Sequence, residues 1–174
     1  MRIQATRGDI ASDLAAEIRT LLDLAYVGDF SAEDWDHSLG GSRFLGYLDA
    51  ELIAHGVIVP RRIWLNDIEF QVGYLEAIAV LPKYQRQGYG TALLTELTKF
   101  AKANYLVSML STDEKEFYRR FGWVDFTGES YVLTNGEQVR SADEDAGLMW
   151  LPGANSDLVE ITKAVCEDRS GDAW

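Results

Sequence analysis

Apolar residues recur along the chain at two periods, one near 3.6 and one of 2, and their succession predicts the elements. Residues 1–7 alternate apolar and polar positions as a first strand. Leu14, Ile18, Leu21, Leu22 and Ala25 then repeat at helical spacing, so a helix is expected over residues 10–27, capped by Asp9 and stopped by Gly28. Residues 28–37 have neither period and read as a loop. Strands are expected over residues 43–48, 52–64 and 68–80, joined by the turns Asp49-Ala50-Glu51 and Leu65-Asn66-Asp67. Ala92, Leu93, Leu94, Leu97, Phe100 and Ala101 predict a helix over residues 90–103, followed by a strand over residues 105–110. A short helix over residues 115–121 ends at Gly122, late strands are expected over residues 130–133 and 148–151, and residues 158–168 look helical. The sum is a mixed α/β fold of the α+β kind, a central and mostly antiparallel sheet flanked by helices.

Length and composition narrow the classes. With 174 residues, 47% hydrophobic and 25% charged, residues 1–174 suit one domain with a packed core and are not a disordered chain. Against 16 Lys and Arg stand 28 Asp and Glu, a net charge of -12, which repels phosphate backbones and anionic lipid surfaces. Neither nucleic acid nor a membrane is expected as a partner. A cationic ligand gains from such a field, which is also an ordinary solubility device. The single cysteine, Cys166, and the two histidines, His37 and His55, supply neither a disulfide nor a zinc ligand set, so no metal is expected. His55 inside a strand reads as structural. The first residues lack the apolar core of a signal peptide and no run reaches the roughly 18 residues of a membrane span, so a cytoplasmic location is expected.

The candidate chemistry lies at three places. Gln85-Arg86-Gln87-Gly88-Tyr89-Gly90-Thr91 joins a strand to a helix, and its glycines allow several N–H groups to face one anion at the helix N-terminus. It is neither a Walker loop nor a dinucleotide fingerprint. Asp29, Glu33, Asp34 and Asp36 surround Phe30 and Trp35 with no basic residue among them, and Glu76 is embedded in an otherwise apolar strand end. Residues 76–123 carry 7 basic and 5 acidic side chains, whereas residues 137–174 carry 3 and 9. The centre suits an anion and the tail a cation.

The Q-x-x-G-x-G run from Gln85 to Gly90, together with Phe117-Tyr118-Arg119-Arg120-Phe121-Gly122-Trp123, resembles the Gcn5-related N-acetyltransferase (GNAT) superfamily. Gly28-Asp29-Phe30, Asp34-Trp35, Leu39-Gly40-Gly41, Gly73-Tyr74-Leu75-Glu76 and Gly171-Asp172-Ala173-Trp174 further resemble the aminoglycoside 2'-N-acetyltransferases. The resemblance implies splayed parallel strands at the cofactor site, acetyl-CoA bound by Ile78, Ala79, Val80 and residues Gln85, Arg86, Gln87, Gly88, Tyr89, Gly90 and Thr91, and a homodimer. It implies that Glu76 accepts the ammonium proton, that Tyr118 protonates the leaving thiolate, and that a backbone N–H near Ile78 meets the oxyanion. The implied contacts to a cationic aminoglycoside are Asp29, Asp34, Glu76, Ala77, Ser111, Glu144 or a neighbouring aspartate, Asp172 and the terminal carboxylate of Trp174. Ala77 departs from the pattern, which has glycine there. Acetylation of another polyamine, amino sugar or protein N-terminus, or a silent binding module, are the alternative readings.

Overall fold

The computed structural model describes residues 1–174, which divide into two compact units. Residues 1–59 and 75–99 make the first, residues 60–74 and 100–174 the second. Two long strands, β3 (Glu51–Leu65) and β4 (Ile68–Val80), contribute one end to each.

In the first unit β1 (Arg2–Arg7) pairs antiparallel with β2 (Ser42–Leu48), which pairs antiparallel with β3. Ile18, Leu21 and Leu22 of α1 (Ser12–Ala25), Ile53, Val57 and Ile58 of β3, and Leu93, Leu94 and Leu97 of α3 (Tyr89–Asn104) are buried. Gly56 lets α3 lie close to the sheet, because a β-carbon there would stand 2.7 Å from Leu97 Cδ1 and 2.8 Å from Ile78 Cδ1. Helix α1 is shorter than its apolar spacing suggested. Its N-cap is Ala11 with no side-chain bond, so Asp9 does not cap it, and it ends as Val27 and Gly28 turn left-handed. The acidic stretch is not wholly a loop either. Ser31 and Asp34 form a reciprocal capping box that starts α2 (Ala32–His37), a helix too short to show a period.

In the second unit the strand order is β6–β9–β5–β4–β3–β10–β7–β8. The order comprises β5 (Val107–Ser111), β6 (Val124–Asp125), β7 (Glu129–Thr134), β8 (Glu137–Arg140), β9 (Leu148–Pro152) and β10 (Lys163–Glu167), and α4 (Lys115–Arg119) follows β5. The strands before and after α3 run parallel as expected, but β4 and β5 are registered only at Gly73 with Ser108 and Tyr74 with Met109. On its other side β5 pairs antiparallel with β9 along its whole length. Left-handed Asn135 and Gly136 close the β7–β8 hairpin. The expected helix over residues 158–168 is instead strand β10, antiparallel to β3 and parallel to β7. Ala164, Val165 and Cys166 are buried together, and so short an apolar run takes its form from the strands on either side of it. Val72, Tyr74, Met109, Phe126, Trp150, Ile161 and Trp174 belong to this unit's core cluster.

Candidate functional site

Between β4 and α3 the chain makes a 3-10 turn, Pro82–Tyr84, and then a loop anchored by its own side chains. Gln85 Nε2 donates to the Val80 carbonyl at 3.0 Å, and Gln87 Nε2 to that of Lys83 at 2.9 Å. Tyr84 donates its hydroxyl to Glu51 at 2.7 Å, and Lys83 pairs with the same carboxylate at 2.6 Å. Arg86 at φ +59° and Gly88 at φ +90° are both left-handed. Such alternation turns successive N–H groups toward one concavity, and the first amides of α3 open beside it without intrahelical acceptors. A β-carbon on Gly88 would meet nothing within 4 Å, so the concavity is open.

In the same unit Tyr26 links the end of α1 to the strand end that bears Glu76. Its hydroxyl donates to the Ile78 carbonyl at 3.2 Å, and its ring packs on Phe30 at 5.3 Å. Loss of hydration around that hydroxyl, then the charges of Glu76 and Asp34, push it up to about 12. Two predicted acids, one on the β4 end and one on α2, therefore bear on one hydroxyl. Arg19 fixes the intervening loop by donating to the Phe30 carbonyl at 2.9 Å. Asp34 also accepts from the Ser31 amide at 2.8 Å, and Asp29 is exposed. Sequence reasoning missed Tyr26; the available signal was an aromatic residue at a helix end just before an acidic segment.

The second unit holds a cavity of about 420 Å³ whose lining includes Ser111, Lys115, Arg119, Asp143, Glu144 and Gly147. Its cations are already matched: Arg119 pairs with Asp125 at 2.6 Å and with Glu116, and Lys115 lies 3.8 Å from Asp125. Asp113, Asp143 and Glu144 line the cavity as well. Burial, and then Asp172 and Asp143, hold the Glu144 carboxyl above its ordinary value, which brings Asp172 into the same electrostatic neighbourhood. Asp145 is committed elsewhere. It pairs with Arg140 and accepts from the Ser130 amide at 2.9 Å and hydroxyl at 2.7 Å. Of the acidic triplet, Asp143 and Glu144 are thus the two that line the cavity.

Tyr118, on α4, is buried against Phe117 at 5.4 Å and Trp123 at 6.2 Å, both edge-to-face. Trp174 is a core residue, 3% exposed. Its indole Nε1 donates to Ser141 Oγ at 3.0 Å and its amide to Asp172 Oδ1 at 3.0 Å. Arg61 holds the Ala173 carbonyl at 2.6 Å, and Arg169 the Trp174 carbonyl oxygen at 3.2 Å.

Residues 15–123 match the family described as Acetyltransferase (GNAT) family, across segments of both units. The chain belongs to the acetyltransferase (GNAT) family. It is 31% identical over 171 residues to an aminoglycoside 2'-N-acetyltransferase of Mycolicibacterium fortuitum, covering 95% of this chain and 88% of that one. Among solved structures it is similar to a GNAT family acetyltransferase from Brucella melitensis in complex with acetyl-CoA, with a TM-score of 0.61, 19% identity, and 92% and 93% of the two chains covered. It also resembles Eis1 from Mycobacterium abscessus, with a TM-score of 0.60 and 25% identity over 75% of this chain, and spans only 33% of that one. Several other structures it matches are likewise about three times as long as the matched part, for example one of which it covers 34%.

GNAT acetyltransferases use acetyl-CoA, and that is the cofactor of this one. The chain fits it: an open concavity lined by left-handed Arg86 and Gly88 and the first amides of α3 suits a pyrophosphate. Gln85 and Gln87 use their side chains to hold that turn in shape.

Proposed function

We propose that this GNAT acetyltransferase moves the acetyl group of acetyl-CoA to the 2'-amino group of an aminoglycoside by direct attack, with no acyl-enzyme. The observation that carries the reading is the Tyr26–Ile78 hydrogen bond, which ties the start of the acidic segment to the strand end bearing Glu76, because a sugar bearing several ammonium groups calls for carboxylates beside the proton acceptor. The likeness to the Mycolicibacterium fortuitum enzyme supports it. Acetyl-CoA supplies an activated thioester. Glu76 takes the proton that an ammonium must lose before its nitrogen is nucleophilic, directly or through water. The Ile78 N–H donates to the oxygen where charge develops, and the Tyr118 hydroxyl gives its proton to the departing sulfur. Asp29, Asp34, Ser111, Glu144 and Asp172 orient the sugar. One catalytic domain over residues 1–174 and a homodimer are parts of the same proposal.

Thiol release measured with tobramycin, which has a 2'-amine, and kanamycin A, which has a 2'-hydroxyl, tests the regiochemistry. Turnover with tobramycin alone is expected. Turnover with both overturns the 2' assignment, and silence on both with acetyl-CoA bound overturns the aminoglycoside as acceptor.

Glu144 gives a pH dependence. Its carboxyl is raised in the free protein, and a bound ammonium stabilises the charged form, so acceptor affinity is full above the raised pKa and falls as pH drops through it. In Glu144→Gln the KM for tobramycin is expected to rise about tenfold at pH 7 and to lose most of this slope. An unchanged KM–pH profile removes Glu144 from the acceptor site.

A further inference from the structure

One buried cation of the first unit takes no part in the chemistry described so far. Arg43 is 2% exposed, and the groups around it are a carbonyl, a hydroxyl, an imidazole and a ring face. Its Nη2 donates to the Ser38 carbonyl at 2.8 Å and the Ser38 hydroxyl at 3.3 Å. The guanidinium stacks over Trp35 at 5.4 Å. Ser38 is the C-cap residue of α2, and its hydroxyl donates to the Trp35 carbonyl at 2.7 Å, so Arg43 grips the end of the helix that carries Asp34.

On its other side Arg43 Nη1 lies 3.0 Å from Nε2 of His55, which is wholly buried. The register explains the meeting: Arg43 opposes Val57 and Leu45 opposes His55, so the two side chains share a sheet face as diagonal neighbours. A guanidinium can only donate, so Nε2 must accept, and the remaining proton sits on Nδ1. Nδ1 is 2.8 Å from the Ala77 carbonyl and donates to it. Burial, which outweighs the bond to Ala77, holds the imidazole down at about 3, so it stays neutral.

Ala77 is where this chain of hydrogen bonds ends, and it is the residue that departs from the glycine of the resemblance. It has φ +51°, a left-handed conformation that disfavours any residue with a β-carbon. It also separates Glu76 from Ile78. We infer that Arg43 and His55 are positioning residues, a relay from the α2 C-cap through guanidinium and imidazole to the Ala77 carbonyl. The relay sets the bend that aims Glu76 and the Ile78 N–H, and it ties that bend to the segment bearing Asp34. The kinetic consequences rest on the acetyl-transfer reading; the hydrogen-bond pattern does not.

Two isosteric substitutions divide the relay. In His55→Asn the amide nitrogen takes the place of Nδ1, keeping the bond to Ala77 and losing that to Arg43. In His55→Gln the side-chain oxygen takes the place of Nε2, with the opposite result. With tobramycin as acceptor, His55→Asn is expected to raise KM about tenfold with kcat nearly intact, and His55→Gln to cut kcat about tenfold with KM nearly intact. Equal changes in both parameters for both variants, or no change in either, overturn the relay. Imidazole 15N spectra of the full chain without acceptor are expected to show one neutral Nδ1–H tautomer from pH 5 to 8. The other tautomer, or an imidazolium, overturns the relay whatever the variants do. The expected tautomer with no turnover on tobramycin supports the relay and sinks the choice of acceptor instead.

Discussion

Glu76→Gln is expected to lower kcat with tobramycin by about a hundredfold to a thousandfold, within the range a positioned general base contributes. The substitution keeps the shape of the side chain and removes its ability to accept a full proton. A sugar ammonium must lose its proton before the nitrogen can attack, and Glu76 is half-buried where its charge, with that of Asp34, is felt by the Tyr26 hydroxyl. Acetyl-CoA binding, measured by calorimetry, is expected to stay near the unmodified value, since the amide nest lies beyond the strand end. The acceptor KM is expected to rise only severalfold, because Asp34 keeps its charge. A variant with full kcat at neutral pH would remove Glu76 as the base and leave the carboxylate a role in binding alone.

The second large effect is on stability. Trp174→Ala is expected to cost about 3–5 kcal/mol, the usual range for removing a buried aromatic side chain, and to lower Tm by roughly ten degrees for a chain of this size. The resemblance assigned the terminal carboxylate of Trp174, and not its indole, to the acceptor. The structure places its indole in the core cluster with Tyr74, Met109, Phe126 and Trp150 and bonds its Nε1 to Ser141. Removing residues 172–174 therefore disturbs folding as well as any contact with substrate. Trp174→Phe, which keeps most of the apolar area, is expected to recover more than half of the loss in a urea titration. An unfolding midpoint unchanged in Trp174→Ala would contradict the core placement.

Where the pattern of residues decided structure locally, it was legible. The apolar runs of β2, β3 and β4 between their turns, and the helical spacing of α3, placed those elements to within a few residues. The turn between β4 and α3 was readable because its glycines sit between two strongly periodic segments. What failed was set from a distance. Strand β10 has no period of its own and takes its form from β3 and β7, far away in sequence. Helix α2 is six residues long and is defined by the capping box at Ser31, while Asp9 looked like a cap only because it preceded an apolar repeat. At the candidate site the acid types and Glu76 were visible as exceptions in their surroundings. Tyr26 was not, since its partner Ile78 is 52 residues away, and the choice within the acidic triplet turned on Arg140, which commits Asp145 to Ser130 and the β7–β8 hairpin. His55 was read as structural, and nothing in the sequence tied it to Arg43 or to the strain at Ala77.

The lone cysteine has a practical bearing on every assay above. Cys166 lies fully buried in β10, its thiol donates to the Ala173 carbonyl at 3.4 Å, and burial pushes it up to about 11. Almost none of it is thiolate at neutral pH, and thiolate is the form that reacts with disulfide reagents. A chromogenic disulfide added to the folded enzyme thus counts released coenzyme thiol over only a slow protein background. The slow signal that develops without substrate becomes a clock for how often β10 parts from β3 and β7.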